Sequence, residues 1–453
     1  MRLQNTITPA LLLLLAAGSG LAQQKLTAPQ LSALAASGSA DLGPAIRQTF
    51  SAKALQAGTA WSGHVEDFFF ATEAASRPEL FIDDQPGPKM SRIETSNLWC
   101  AAAKIQPLGT LHSYFYTVDG ARFGGQSDMP AFGPLSYQTP GVPAGTLSGK
   151  IIHTSRIYDG MKSEYWIYVP AQYDPKIPAA LMVFQDGGGY LDREGMNPAL
   201  NVIDNLIAQK KIPVMICVFI NPGDISGAPG TPTYNFVKGY GDKWKRDLKD
   251  SMRSTLYDTV SDRYPRFLRD EVLAEVQAKY NIRRDAYSRA ITGISSGGIC
   301  SFNAAWQMPD QFSRVITWIG SFVGIQWKED PTVADGGQDY PNKVLREPKR
   351  NIRVWLQDGS HDMTMSWYER RYGNWTLANI HMANALKLAG YDFHFSFGKG
   401  THNGAHGASE FPAQMSWLWR DYDPAKTEQT YEMEAAEKAK PLFLVGIANR
   451  ETN

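Results

Sequence analysis

From residue 149 onward the chain carries a series of short runs dense in apolar residues: Ala180-Leu181-Met182-Val183-Phe184, Val214 to Ile220, Ala290-Ile291-Thr292, Ile352 to Leu356 and Phe393 to Phe397. Runs of this length and density suit strands buried inside a sheet. Helical stretches lie between them. Arg266 to Tyr280 puts Phe267, Leu268, Val272, Leu273 and Val276 on one face, and Leu377 to Leu388 repeats apolar residues at similar spacing. Strand alternating with helix predicts an α/β fold, a mostly parallel sheet covered by helices on both faces. A hairpin leads into it, Lys150 to Tyr158 and Glu164 to Val169 joined by Asp159-Gly160.

The flanking segments have a different texture. Between about 40 and 147, aromatic runs such as Asp67-Phe68-Phe69-Phe70 and Ser113-Tyr114-Phe115-Tyr116 are separated by Gly, Pro and Asp clusters, which predicts a small β-sandwich. Pro130 to Ser148 reads as a linker. At the start, Arg2, the apolar run Ala10 to Ala17 and the small residues Gly18 to Ala22 form a leader pattern, so residues 1–22 are expected to be removed on export. The expected organisation is therefore 1–22 leader, 23–147 N-terminal region with the sandwich, 148–422 catalytic α/β domain and 423–453 polar tail or terminal helix.

Charge narrows the partners. Lys and Arg number 45 and Asp and Glu number 45, with no basic stripe, so a nucleic-acid partner is not expected. No stretch is long and apolar enough for a membrane span. Cys100, Cys217 and Cys300 lie far apart without a Cys-x-x-Cys spacing, so neither a disulfide framework nor a zinc site is expected, and Cys217 reads as a buried hydrophobe.

The strongest chemical signal is Gly293-Ile294-Ser295-Ser296-Gly297-Gly298, which follows the strand Ala290 to Thr292 and opens a helical stretch. A sharp strand-to-helix turn crowds its backbone, so glycines around Ser295 let the turn form and present Oγ as a nucleophile. The helix start adds N–H groups beside a developing oxyanion, and Ser296 supplies one of them. An acid and a base must follow, each at a strand end. Gln357-Asp358-Gly359-Ser360-His361-Asp362 and Gly400-Thr401-His402-Asn403-Gly404-Ala405-His406 provide the candidates. Asp362 is preferred with Asp358 as alternative, and His402 with His406 as alternative. Asp186-Gly187-Gly188-Gly189, after an early strand, offers the second oxyanion donor, Gly188 ahead of Gly187. No Gly-x-Gly-x-x-Gly or P-loop appears, and His402 and His406 lack a His-Glu-x-x-His context, so neither cofactor nor metal is expected.

Together, Phe184 to Tyr190, Ser261-Asp262-Arg263-Tyr264, Gly293 to Cys300, Leu356 to Asp362 and Gly400 to Gly404 resemble the esterase D group, and more closely the enterochelin-esterase-like serine hydrolases related to feruloyl and acetylxylan esterases. The resemblance spans roughly residues 149 to 421. It implies an α/β-hydrolase fold, supports Ser295, Asp362 and His402 as the triad, and implies that the β-rich part before residue 147 is immunoglobulin-like.

These observations predict a cofactor-free, exported serine carboxylic-ester hydrolase working through an acyl-enzyme. Its expected substrates are acyl or feruloyl esters of carbohydrates. A siderophore tri-ester hydrolase is the alternative within enzymes, and a non-catalytic carbohydrate-binding protein on a hydrolase scaffold is the alternative outside them. Tyr257, Asp258, Arg263, Tyr264 and Trp375 are candidate substrate contacts, each equally suited to packing.

Overall fold

The computed structural model describes residues 25–224, 252–326, 339–365 and 373–445; the leader expected at 1–22 lies outside them. A nine-stranded mixed sheet dominates. Its main strands are β1 (Ile151–Thr154), β2 (Lys162–Val169), β3 (Ala180–Gln185), β4 (Met215–Ile220), β5 (Arg289–Ile294), β6 (Arg314–Trp318), β7 (Arg353–His361) and β8 (Asp392–Thr401). They lie in the order β1-β2-β4-β3-β5-β6-β7-β8, and the short strand Thr146–Leu147 pairs with β2. The pairs β1/β2 and β2/β4 are antiparallel, whereas β4 to β8 run parallel. This order, with helices in the crossovers, is that of an α/β-hydrolase-like fold.

The apolar runs are continuous because both faces are covered. Along β3, Leu181 and Val183 point into one core with Ile291, Val354 and Leu356, while Ala180, Met182 and Phe184 point into the other with Phe219, Ile316 and Trp318. Helices α1 (Ala199–Ala208), α2 (Ser296–Gln307), α3 (Trp375–Leu388) and α4 (Ala405–Leu418) pack on this sheet. The segment expected to be helical at 266–280 is helical over Arg263–Lys279, with a π-type stretch at Leu268–Val272. All three cysteines are buried and free.

The N-terminal region holds two four-stranded antiparallel sheets. It departs from the expected sandwich by three helices, Ala28–Ser37, Leu42–Thr49 and Ala52–Gln56, which cover the outside of one sheet. Phe68 and Phe70 fill the space between the sheets while Phe69 meets the helices, which is why three consecutive phenylalanines are all buried. The proline-rich stretch is also more than a linker. Its carbonyls need donors that its prolines cannot supply. Asn201 and Asn205 on α1 provide them, donating to Ser136 O, Leu135 O and Tyr137 O at 3.0, 2.9 and 2.7 Å.

Among the described residues of the C-terminal tail, Tyr431 and Met433 are buried against the sheet domain. Tyr431 is buried, bonds Ser313 Oγ at 3.1 Å, and covers the buried guanidinium groups of Arg314 and Arg353 at 5.3 and 4.8 Å. Arg314 sits among Tyr287, Trp419 and Tyr422 as well, and burial pushes its pKa down to about 10. Tyr431→Ala uncovers both cations and removes a large buried ring. It is expected to destabilise the fold by about 3 kcal/mol, measured by chemical denaturation.

Candidate active site

The carboxyl ends of the parallel strands gather every loop that the sequence marks as chemical. At the end of β5 the backbone turns through Ser295 with φ 58° and ψ −118°, a conformation that an L residue adopts only under constraint. Backbone hydrogen bonds hold it to its neighbours, with Ser295 N donating to Trp318 O at 2.9 Å and Ser321 N donating to Ser295 O at 3.1 Å, while Gly298 N and Ile299 N also donate to Ser295 O at 2.9 and 3.2 Å. Gly293 is required here, since a Cβ would lie 2.4 Å from Gly297 O. Helix α2 then starts at Ser296.

Ser295 Oγ lies 2.9 Å from His402 Nε2, and His402 Nδ1 lies 2.5 Å from Asp362 Oδ1. Asp362 comes from the end of β7 and His402 from the end of β8. A register shift between Gly359 and His361 lengthens the β8 side, and Gly359 is required there because a Cβ would meet Gly400 O at 2.1 Å. The Asp362 side chain is fully buried, and its Oδ1 also accepts from Met363 N at 2.5 Å. The edge of the Trp375 ring flanks the imidazole, 5.4 Å between centroids.

The two alternatives fall elsewhere. His406, the second residue of α4, is buried between Gln357 Nε2 at 2.9 Å and Glu410 Oε1 at 3.1 Å. Asp358 is buried with Oδ1 on Gly359 N at 2.6 Å. Burial and the neighbouring Asp362 carboxylate push its carboxyl well above the usual range.

Residues 160–418 match the family model described as "Putative esterase". The chain belongs to this esterase family. It is a carboxylic ester hydrolase. It is also similar to an enterobactin esterase from Shigella flexneri, at 16% identity over 78% of this chain and 93% of that one with a TM-score of 0.47. A ferulic acid esterase from the anaerobic fungus Anaeromyces mucronatus is similar at 15% identity, covering 63% of this chain and 94% of that one, TM-score 0.43. Membership rests on the family model.

The esterase offers the N–H of Ser296 at the first position of α2, where no intrahelical acceptor exists. The other expected donor needs correcting. Gly188 N–H is held by Asn221 Oδ1 at 3.0 Å, because the end of β4 brings Asn221 alongside the glycine turn. Gly187, first in the 3-10 turn Gly187–Tyr190, takes its place as the candidate. Asp186 starts that turn in the left-handed region, φ 53°, gripped by Arg253 through Nε to Oδ1 at 2.9 Å and Nη2 to Oδ2 at 2.7 Å. Arg253 Nη2 also donates to Ile294 O at 3.2 Å, tying the turn to the elbow.

The candidate substrate contacts make packing and hydrogen-bond contacts within the protein. Tyr257 and Tyr264 are buried, Tyr264 donating to Gln185 Oε1 at 2.5 Å and Tyr257 Oη accepting from Asp186 N at 3.3 Å. Trp375 is buried, with Nε1 on Ser321 Oγ at 3.1 Å. Arg263 stacks on Tyr158 at 4.3 Å and donates to Ile157 O at 2.7 Å. Asp258 accepts from Ser254 Oγ at 2.7 Å and Ser296 Oγ at 3.1 Å, directing the Ser296 side chain away from the site. Tyr257, Asp258, Tyr264 and Trp375 are buried, whereas Arg263 is part-buried. Sequence reasoning missed Ser321, Arg253 and Asn221. Ser321 Oγ lies 3.2 Å from Ser295 Oγ, and no motif surrounds any of the three. Among the described residues, no group of three or more His, Cys, Asp or Glu stands ready to hold a metal.

Asp362→Asn, which presents the wrong hydrogen-bonding group to His402, is expected to lower kcat on p-nitrophenyl acetate by about 10⁴-fold. Asp358→Asn, mimicking a protonated carboxyl, is expected to lose under about tenfold. Asp258 yields a pH prediction. Burial raises its pKa to about 6 from 3.8, so the folded state holds its proton more tightly than the unfolded chain does. That contribution is full below pH ~4 and is lost as pH rises through ~6. The Tm gain of Asp258→Asn over wild type should therefore grow between pH 4 and 7 and then level off.

Proposed function

We propose that the esterase is a serine hydrolase acting through an acyl-enzyme. His402 removes the Ser295 proton as Oγ attacks the ester carbonyl, and Asp362 holds the imidazole with Nδ1–H directed at its carboxylate and stabilises the imidazolium. The N–H groups of Ser296 and Gly187 receive the oxyanion. The proton on His402 then passes to the leaving alcohol, and water deacylates Ser295 by the same steps in reverse. The observation that carries this reading is the unbroken Oγ–imidazole–carboxylate chain of 2.9 and 2.5 Å at a strained turn.

The substrates are acyl or feruloyl esters of carbohydrates met outside the cytoplasm. The leader pattern of residues 1–22 supports export. A cavity of about 940 Å³ supports the carbohydrate: it lies between the N-terminal sheets and the catalytic domain and is lined by Trp61, His64, Gln126, Tyr137, Arg193 and Ala405. Flat rings beside amides and charges suit sugar faces and hydroxyls. It adjoins the His402 loop through Ala405. The paired four-stranded sheets support the immunoglobulin-like reading of the N-terminal region.

Ser295→Ala is expected to reduce hydrolysis of p-nitrophenyl acetate and methyl ferulate by several orders of magnitude and to abolish fluorophosphonate labelling. Near-normal turnover sinks the assignment, and a folded wild type that resists labelling favours a carbohydrate-binding protein. A panel of acetylated xylan, feruloylated arabinoxylan and ferric enterobactin is expected to rank the carbohydrate esters highest by kcat/KM. The reverse ranking would make the protein a siderophore hydrolase.

A further inference from the structure

The base does not stand on the catalytic domain alone. Asp128 lies near the end of the strand Ala121–Ala131 in the N-terminal region, outside the family-matched residues 160–418, and it is buried. Its carboxylate reaches both neighbours of His402. Oδ1 accepts from Thr401 N at 3.2 Å, while Oδ2 accepts from Thr401 Oγ1 and from Asn403 Nδ2. The clamp closes on itself, since Asn403 Nδ2 also donates to Thr401 Oγ1 at 3.0 Å and Asn403 Oδ1 caps Ala405 N at 2.8 Å, at the start of α4.

The N-terminal strand is shaped to deliver this side chain. Against the strand Thr110–Val118, His112 pairs with Met129 and Tyr114 with Gln126, so one extra residue bulges between them and the local pleat is re-aimed. Gln126 Nε2 then holds Asp128 O at 2.7 Å, and Trp61 Nε1 in turn holds Gln126 Oε1 at 2.7 Å. From the same region Leu111 abuts Gly400, 3.1 Å from where its Cβ would be. Thus Thr401 and Asn403 are fixed from outside their own domain, and only His402 between them faces Ser295.

We infer that Asp128 is a positioning residue of the hydrolase site: the N-terminal region, through this carboxylate, sets the backbone that aims His402 at Ser295. The inference rests on the reading of His402 as the base. The imidazole must meet Oγ on one side and Asp362 on the other, and its chain position between two clamped residues removes the freedom to do one without the other. A displacement of about 1 Å at a catalytic group costs on the order of 10²-fold in rate. Asp128 lines the proposed carbohydrate cavity but touches none of the reacting atoms, so on p-nitrophenyl acetate, which carries no sugar, its loss is expected in kcat rather than KM.

The test uses the full chain, as wild type, S295A, D128A, D128N, T401V and D128A/T401V. Each is assayed for kcat and KM on p-nitrophenyl acetate, for the rate of fluorophosphonate labelling, and for folding by circular dichroism. D128A is expected to lose about 10- to 100-fold in kcat with KM within about twofold, and to label more slowly by a similar factor. D128N, keeping an acceptor for Thr401 N–H, should recover part of that loss. T401V removes a hydroxyl without changing shape and should lose several-fold, with the double variant little worse than D128A because both act through one network. A folded D128A whose kcat and labelling rate match wild type overturns the inference, even if its Tm falls. Should D128A fail to fold, T401V decides: a normal kcat there overturns it equally. S295A separates the two readings, since a fully active S295A removes the triad itself, whereas an inactive S295A beside a normal D128A removes only the clamp.

Discussion

The backbone of Ser295 is the constraint around which the site is assembled. A non-glycine residue at φ 58° and ψ −118° costs on the order of 1–3 kcal/mol and persists only where its surroundings over-determine it. Those surroundings are the neighbouring strand end and the loop beyond it, through Trp318 O and Ser321 N, together with the Arg253 link to Ile294 O. The strain lifts Oγ out of the sheet and points the first N–H of α2 at the same space. One turn thus produces both the Ser295 Oγ and the Ser296 N–H that the proposed reaction uses, with the parallel pairing of β5 and β6 beneath it.

Around that turn the buried charges are arranged by sign. Asp186 is neutralised by a bidentate guanidinium, which steadies the glycine turn without leaving an anion next to a developing oxyanion. Asp362 is buried with one oxygen on His402 and Met363 N, where a carboxylate has its greatest effect on an imidazolium. Asp358, immediately behind it, is pushed towards its neutral form by burial and by Asp362 itself. Two adjacent buried carboxyls cannot both ionise cheaply.

The catalytic domain is not a self-contained unit in this molecule. Asn201 and Asn205 hold the proline-rich connection, Tyr431 of the tail roofs two buried arginines, and Asp128 grips the residues beside His402. In each case a contact between segments pairs polar groups or charges that one side alone would leave unsatisfied. The family-matched residues 160–418 contain Ser295, Asp362 and His402, and segments outside them contact the loops that carry these residues.

Sequence alone determined the things that depend on local chemistry. Buried strands announce themselves by apolar density, the strained turn by glycines around a serine between strand and helix, and the candidate acid and base by standing just beyond strands in the required order. It could rank Asp362 over Asp358 and His402 over His406, but the geometry that separates them arises where the ends of β7 and β8 are brought together, including a register shift that no local pattern encodes. Tertiary structure also decided the partners with no motif. Asn221 claims Gly188 N–H, Tyr257, Tyr264 and Trp375 face the core, three N-terminal helices cover a sheet face, and Asp128 arrives from 273 residues before Thr401. The physical reason is the same throughout: side-chain type and spacing fix what a residue can do, whereas which donor meets which acceptor is settled only when distant strands share an edge.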